Sequence, residues 1–409
     1  MITAGTAGLI AAATAAAYWL AGRYFEPASF VTYAISRRSV SAVVPVLLLG
    51  LGMALTRETA SDGKTETAST LAWLAATLVA IAWSAFALGV ILIPDTAAQV
   101  FLGSFEARAE VIAAVNLTGG LAMQAIAYSL LRGRLRFRQA NLVKIVVFVV
   151  AQPLSVVLSS GNLSLALHLY ACVAWATGIA TLFLSAPQSR VSRIWALRFT
   201  GSRRLLAYGL PRLPGDMSIG FLLASPALLA SQFSDLQVAG VLALGSSGIT
   251  LIGTALSPLS TLLLPYAARS FSAGENPFQG RPVRQHSLLL IVITSFVTSA
   301  AAWYIAPFVP AYLAAEWMNP WLTELRLLLL GTGPYLMFVT CRSIVDAAYR
   351  RAYNASSAYI AFGAMLMASA VLASYFSTSY AIALGHAFGL AVLGGRTLWI
   401  ANTALKNIP

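Results

Sequence analysis

Long apolar runs separated by short polar punctuation dominate the chain. Stretches of about twenty apolar residues, the length a helix needs to cross the hydrocarbon of a bilayer, recur twelve times. They lie near 2–22, 30–56, 67–93, 96–131, 138–159, 162–185, 203–230, 236–268, 283–312, 319–349, 355–377 and 379–402. None alternates apolar and polar positions over about ten residues, so the pattern excludes a transmembrane β-barrel. The fold class it predicts is an all-α integral membrane protein of twelve transmembrane helices. The fourth and tenth runs are long enough to require tilt or protrusion.

The longest connection on the basic side, Pro187 to Arg204, divides the twelve spans into two sets of six. We therefore expect an N-terminal six-helix lobe over 1–186, a basic cytoplasmic linker over 187–204 and a C-terminal six-helix lobe over 205–409. Within the linker, Val191, Ile194, Trp195 and Phe199 alternate with Arg190, Arg193 and Arg198 in the manner of a short interfacial helix. A faint internal match of Phe30-to-Glu58 with Ala239-to-Ala267 agrees with two related halves. The Ala-rich start lacks a basic lead-in and reads as a retained first span rather than a signal peptide.

Composition agrees with lipid as the solvent. Hydrophobic residues make up 59% of the 409 and charged residues 10%, against about 25% charged in a soluble domain. The net charge of +13 would point to nucleic acid in a soluble protein, but its distribution argues otherwise. One set of loops carries Arg132, Arg134, Arg136 and Arg138, then Arg190, Arg193, Arg198, Arg203 and Arg204, then Arg269, Arg281, Arg284, Arg350, Arg351 and the tail's Lys406. The opposite set holds Glu26, Asp95, Asp235 and Glu316, with Arg23 at one margin. This asymmetry places both termini in the cytoplasm. It makes the partners membrane lipids, with no nucleic acid. Cys172 and Cys341 both sit in apolar runs, so no disulfide framework or zinc site is expected.

Charges inside the runs are the candidates for chemistry, because each costs about 2.5–3.5 kcal/mol at mid-bilayer. Arg37 and Arg38 are adjacent, about 100° apart on a helix, with no acid within a turn. They point to a water-filled, anion-binding path or to acids on another helix. Arg212 with Asp216, and Arg342 with Asp346, are spaced as i,i+4 pairs that neutralise each other or serve coupling. Glu106, Arg108 and Glu110 fall within the fourth run, where a structural role is favoured over proton coupling. His168 and His386 read as hydrogen-bonded packing residues. Gly63-Lys64-Thr65 imitates the end of a phosphate-binding loop but has Glu58 where the motif needs Gly. Gly385 and Gly389 report close helix packing. No hydrolase, zinc-protease or other catalytic motif is present, so no enzyme and no cofactor are expected.

Several segments together resemble the Wzx-type O-antigen flippases, polysaccharide transporters of the multidrug/oligosaccharidyl-lipid/polysaccharide exporter superfamily. They are Phe30 through Arg37-Arg38 to Arg57, Leu131 to Asn141, Tyr208-Gly209-Leu210-Pro211-Arg212-Leu213-Pro214-Gly215-Asp216, Ala239-Gly240 onward, Leu264-Pro265, and Arg342 through Asp346 to Asn354. The family's usual proline before the arginine ending the second span is Thr56 here. The resemblance implies a bacterial inner-membrane flippase, with an undecaprenyl-diphosphate-linked oligosaccharide as cargo and other glycan-assembly proteins as partners. It also implies a central cavity lined or bordered by Arg37, Arg38, Arg57 and Arg212. The chemistry of the residues agrees, since guanidinium binds phosphate oxygens bidentately and stays charged when dehydrated. The same fold also hosts multidrug exporters, and a membrane-embedded glycan-modifying enzyme is the alternative from another class.

Overall fold

The computed structural model describes residues 2–62, 65–185, 201–272, 281–349 and 352–406. Gly63-Lys64, Arg350, Arg351 and the expected interfacial helix around Trp195 lie outside the described residues. Among the described residues the chain is helical throughout and has twelve segments long and apolar enough to cross a membrane. We number them α1 (Gly5–Tyr24), α2 (Pro27–Leu48), α3 (Thr67–Leu92), α4 (Arg108–Gly133), α5 (Phe137–Leu158), α6 (Leu163–Ser185), α7 (Gly201–Phe233), α8 (Leu236–Leu256), α9 (Leu288–Leu313), α10 (Glu316–Ala348), α11 (Tyr353–Leu372) and α12 (Thr378–Lys406). The all-α class and the twelve spans are those the apolar runs predict.

The runs misplace several breaks. The second run, expected continuous over 30–56, ends as a helix at Leu48. Leu49 and Gly50 then adopt φ of 49° and 70°, and a separate helix follows at Leu51–Asp62. Arg57 belongs to that second piece. The fourth run divides at Gly103, whose left-handed φ of 75° closes the helix Pro94–Leu102. Glu106 therefore sits in an exposed turn and Arg108 starts α4, so neither is a mid-span charge. Arg108 is tied to Asp95 by an exposed, two-pronged ion pair. Apolarity is continuous across the first break, so the pattern alone could not place it, whereas Ser104, Glu106, Arg108 and Glu110 do mark the second.

Two compact units form, one of Ala12–Gly220 and one of Phe221–Pro409 with Thr3–Ala11. In the first, α4 is the most buried helix and packs against α6, α2 and α3. Small residues let the backbones meet: a side chain at Gly178 would come within 2.9 Å of the Gln124 amide. Trp83 Nε1 donates to the Val115 carbonyl at 2.9 Å, and Trp175 Nε1 to Asn116. His168 Nδ1 shares a 3.2 Å hydrogen bond with Asn116 Nδ2, the packing role expected of it. At the end of α4, Arg134 donates to Ser69 Oγ at 2.8 Å and to the Ser185 carbonyl, joining the ends of α3, α4 and α6.

In the second unit α10 and α12 form the centre, flanked by α8, α9 and α11. A side chain at Gly389 would meet the Ala361 carbonyl at 3.0 Å, and one at Gly385 the Ser369 amide at 2.8 Å, so these glycines seat α12 on α11. α10 is not one smooth helix. It opens with a 3₁₀ stretch at Glu316–Trp321 and is interrupted again before Thr332.

Candidate functional site: two arginines on one tyrosine

The site grows from the break after α2. Gly50, at φ 70°, lets this backbone lie directly on that of Gly209 in α7. A Cβ at Gly50 would stand 2.3 Å from the Gly209 carbonyl oxygen, and one at Gly209 would stand 2.6 Å from the Leu49 oxygen. Only glycine at both positions permits this crossing. Leu51, Ala54, Leu55 and Leu205 are fully buried around it, and Tyr208 packs on the same apolar cluster.

The crossing brings together two of the arginines singled out in the sequence. Arg57, on the Leu51–Asp62 helix, places its guanidinium carbon 4.5 Å from the Tyr208 ring centroid. Arg212, one turn beyond Tyr208, places its own at 3.8 Å and donates from Nη1 to the Tyr208 carbonyl at 3.2 Å. The 3₁₀ turn Leu210–Arg212, set by Pro211 and Pro214, lets Arg212 fold back onto Tyr208. Asp216 lies exposed further along α7. Arg57 is exposed and Arg212 half-buried, so both keep donor edges for a ligand. Two stacked guanidiniums are held in place yet leave most of their N–H groups unused, a geometry suited to phosphate or carboxylate oxygens.

Arg37 and Arg38 stand elsewhere in the same unit. Arg37 lies over the Tyr170 ring, 5.0 Å from its centroid, and Arg38 is 7% exposed. In the second unit, Asn354 Nδ2 donates to the Arg342 carbonyl at 2.9 Å and to Asp346 Oδ1 at 2.7 Å. Asn354 thus ties the Asp346 carboxylate to the Arg342 backbone at the end of α10, while the Arg342 guanidinium lies over the Phe338 ring, 5.7 Å from its centroid. His386 is fully buried, with the Leu222 backbone within hydrogen-bonding reach of its ring.

Sequence reasoning passes over two features. Glu324, in α10, is 2% exposed; its Oε1 accepts from Ser379 at 3.0 Å and its Oε2 is unpartnered. Its signal is a carboxylate inside the apolar run 319–349. Tyr208, the platform itself, carries no charge and gives no such signal.

The arrangement sits on a known fold. The chain superimposes on an inward-facing multidrug resistance MATE family transporter of the MOP superfamily with a TM-score of 0.72, covering 98% of this chain and 95% of the other at 13% identity. An outward-facing structure of a multidrug resistance MATE transporter matches at 0.60, with 15% identity over 98% and 94%. A MOP superfamily transporter from Pyrococcus furiosus, described as having a binding pocket of reverse polarity, matches at 0.61 with 14% identity over 99% and 93%. This chain has the MATE transporter fold. No family model and no curated relative matches the sequence.

Proposed function

We propose that the chain is a transporter of the bacterial inner membrane, with both termini cytoplasmic, that exports an amphipathic anion by alternating access. The transporter part is supported by the fold, shared with MATE proteins over nearly the whole of each chain. The anionic part is carried by one observation: Arg57 and Arg212 share the Tyr208 ring, and neither has a carboxylate within 4.0 Å among the described residues. An undecaprenyl-diphosphate-linked oligosaccharide fits this chemistry. Its diphosphate suits paired guanidiniums, its sugar needs a polar path, and its polyprenyl tail can stay in lipid. Moving each negative charge outward gains about 2.3 kcal/mol per 100 mV of inside-negative potential, so the membrane potential alone could drive export.

Multidrug export is the second reading, and the solved neighbours support it more directly than they support a glycan cargo. One experiment separates the two. In a deletion strain, the sidedness of lipid-linked glycan is probed on spheroplasts with a membrane-impermeant sugar-modifying reagent, and drug susceptibility is measured in parallel. We expect glycan trapped on the inner face, rescued by wild type and not by the Arg57→Ala/Arg212→Ala variant. Unchanged glycan exposure with increased drug sensitivity would replace the glycan by a drug. Loss of polymer with normal exposure of the repeat unit would point to an enzyme.

A further inference from the structure

A second cluster of the first unit holds buried donors and no buried anion. It is built from Tyr18 on α1, Tyr33 and Arg37 on α2, Gln152 on α5 and Tyr170 on α6. Tyr18, Tyr33 and Tyr170 are 4%, 2% and 1% exposed and Gln152 is fully buried. The rings of Tyr18 and Tyr33 meet edge to face at 5.7 Å, and Phe25 closes on Tyr33 at 5.6 Å. Tyr33 lies within side-chain reach of both Gln152 and Arg37.

The polar atoms left over are all able to donate. Arg37 Nη1, Gln152 Nε2 and the Tyr170 hydroxyl are buried and complete no hydrogen bond of good geometry, although Arg37 lies within reach of Tyr170 and Gln152 within reach of Tyr33. Gln152 Oε1 accepts from Thr14 at 3.4 Å, which leaves the Nε2 donors facing the cluster. No Asp or Glu belongs to the cluster. Each unmet buried donor costs about 1–3 kcal/mol, and a charged one more. A buried cation without a counter-charge is the costliest of these. The backbone has also been adapted at this place: α5 runs as a π-helix over Ile145–Ala151 and returns to α-helix at Gln152. Such insertions reset which face a following side chain presents and concentrate at functional positions.

We infer that this cluster is a binding site for a small monovalent inorganic anion of halide size, chloride being its representative. A cation is excluded by Arg37 and by the donor polarity of the set. A lipid diphosphate is excluded by the enclosure of Tyr33, Tyr170 and Gln152. The partial exposure of Arg37 provides an approach. The site shares no residue with the Arg57–Tyr208–Arg212 group and does not depend on the cargo that group carries.

The test uses the purified full-length protein in lipid nanodiscs. Thermal unfolding is followed in chloride, bromide and gluconate at one ionic strength, since a ligand that binds only the folded state raises the melting temperature with its concentration. Wild type is expected to melt higher in both halides than in gluconate, with a saturable dependence. Tyr170→Phe should weaken the apparent halide affinity about tenfold, the worth of one hydrogen bond to an ion. Gln152→Leu replaces an unmet amide by an apolar side chain; it should raise the melting temperature in gluconate and lose most of the halide increment. Arg37→Gln should lose the increment entirely, and Arg57→Ala should keep it. If Arg37→Gln does not fold, the Tyr170 and Gln152 variants decide alone. Equal melting of wild type in halide and gluconate would overturn the proposal. So would an undiminished halide increment in both Tyr170→Phe and Gln152→Leu, which would place the ion elsewhere on the protein.

Discussion

Both units are built of apolar helices but treat their polar groups differently. In the first, cations lie on aromatic rings: Arg37 on Tyr170, Arg57 and Arg212 on Tyr208, Arg23 on Trp19, and Arg132 and Lys144 on Tyr128. An aromatic face holds a guanidinium in place without neutralising it, so the charge stays available to an anion. In the second unit, buried polar residues include Glu324, held by Ser379, and His386. Asp346 is held there by Asn354. These groups are fixed by neutral donors or enclosed by packing. Arginines stack there too, Arg326 on Trp303 at 4.5 Å and Arg342 on Phe338 at 5.7 Å, but one to a ring. The difference teaches that the first unit gathers two cations on one ring, at Tyr208 and again at Tyr128, whereas the rings described in the second hold one each.

The largest effect should come from removing the shared platform. Arg57→Ala/Arg212→Ala deletes two charge-assisted contacts worth about 1.5–3 kcal/mol each, so cargo affinity should fall by a hundredfold or more, with protein abundance unchanged. Tyr208→Leu keeps the packing but frees both guanidiniums, and should cost about tenfold. Both are read as binding of the radiolabelled lipid-linked glycan to purified protein. If Arg342→Ala in the second unit weakened binding as much, the contrast between the units would fail.

How much of this was legible beforehand differs between fold and site. Lipid leaves no alternative to helices of about twenty apolar residues, so twelve spans follow from the runs alone. The break at Leu49-Gly50 does not, because it lies among apolar residues and a glycine there could equally be tolerated inside a helix; the break at Gly103 had a signal in Ser104, Glu106, Arg108 and Glu110 that the length of the run overrode. What distinguishes Gly50 is the Gly209 backbone resting on it, a contact between distant parts of the chain. Arg37, Arg38, Arg57 and Arg212 stood out because a charge in an apolar run is conspicuous. Tyr18, Tyr33, Tyr170, Tyr208 and Gln152 did not, because tyrosine and glutamine are unremarkable until three dimensions bring them to an arginine. The π-helical stretch before Gln152 has no composition of its own, being a plain Ile-Val-Val-Phe-Val-Val run.

Gly50→Ala should be next in size and acts on the fold that creates the first unit's chemistry. It adds a Cβ 2.3 Å from the Gly209 oxygen at a left-handed φ that alanine adopts with strain. We expect a loss of about 2 kcal/mol or more, seen as a lower melting temperature in detergent, with cargo binding falling in proportion. A variant of wild-type stability would mean that the crossing is not rigid.

Arg134→Met tests a cation of the first unit that is satisfied by carbonyl and hydroxyl oxygens rather than kept free. It removes the bonds to Ser69 and Ser185 while keeping a long apolar stem. Burial and the neighbouring Arg136 charge already push the Arg134 pKa down, so part of its cost as a cation is recovered on removal. The expected loss is about 1–2 kcal/mol of stability, with cargo affinity unaltered once the protein is folded. Altered affinity at full folding would extend the binding surface to the end of α4.

The smallest effect belongs to the pair that obeys neither pattern. Arg108 meets Asp95 as an ordinary ion pair, with side chains 62% and 43% exposed. Exposed pairs of this kind contribute about 0–1 kcal/mol, because water screens the attraction and both side chains lose freedom. Asp95→Asn should therefore shift the melting temperature by no more than a degree or so and leave export unchanged. The variant also releases a guanidinium that has no ring to stack on. If the anion-binding capacity of the first unit came from net positive charge alone, freeing Arg108 would raise cargo or halide affinity as much as any other gain of one charge. If it comes from arginines positioned on tyrosines, affinity should stay at the wild-type value.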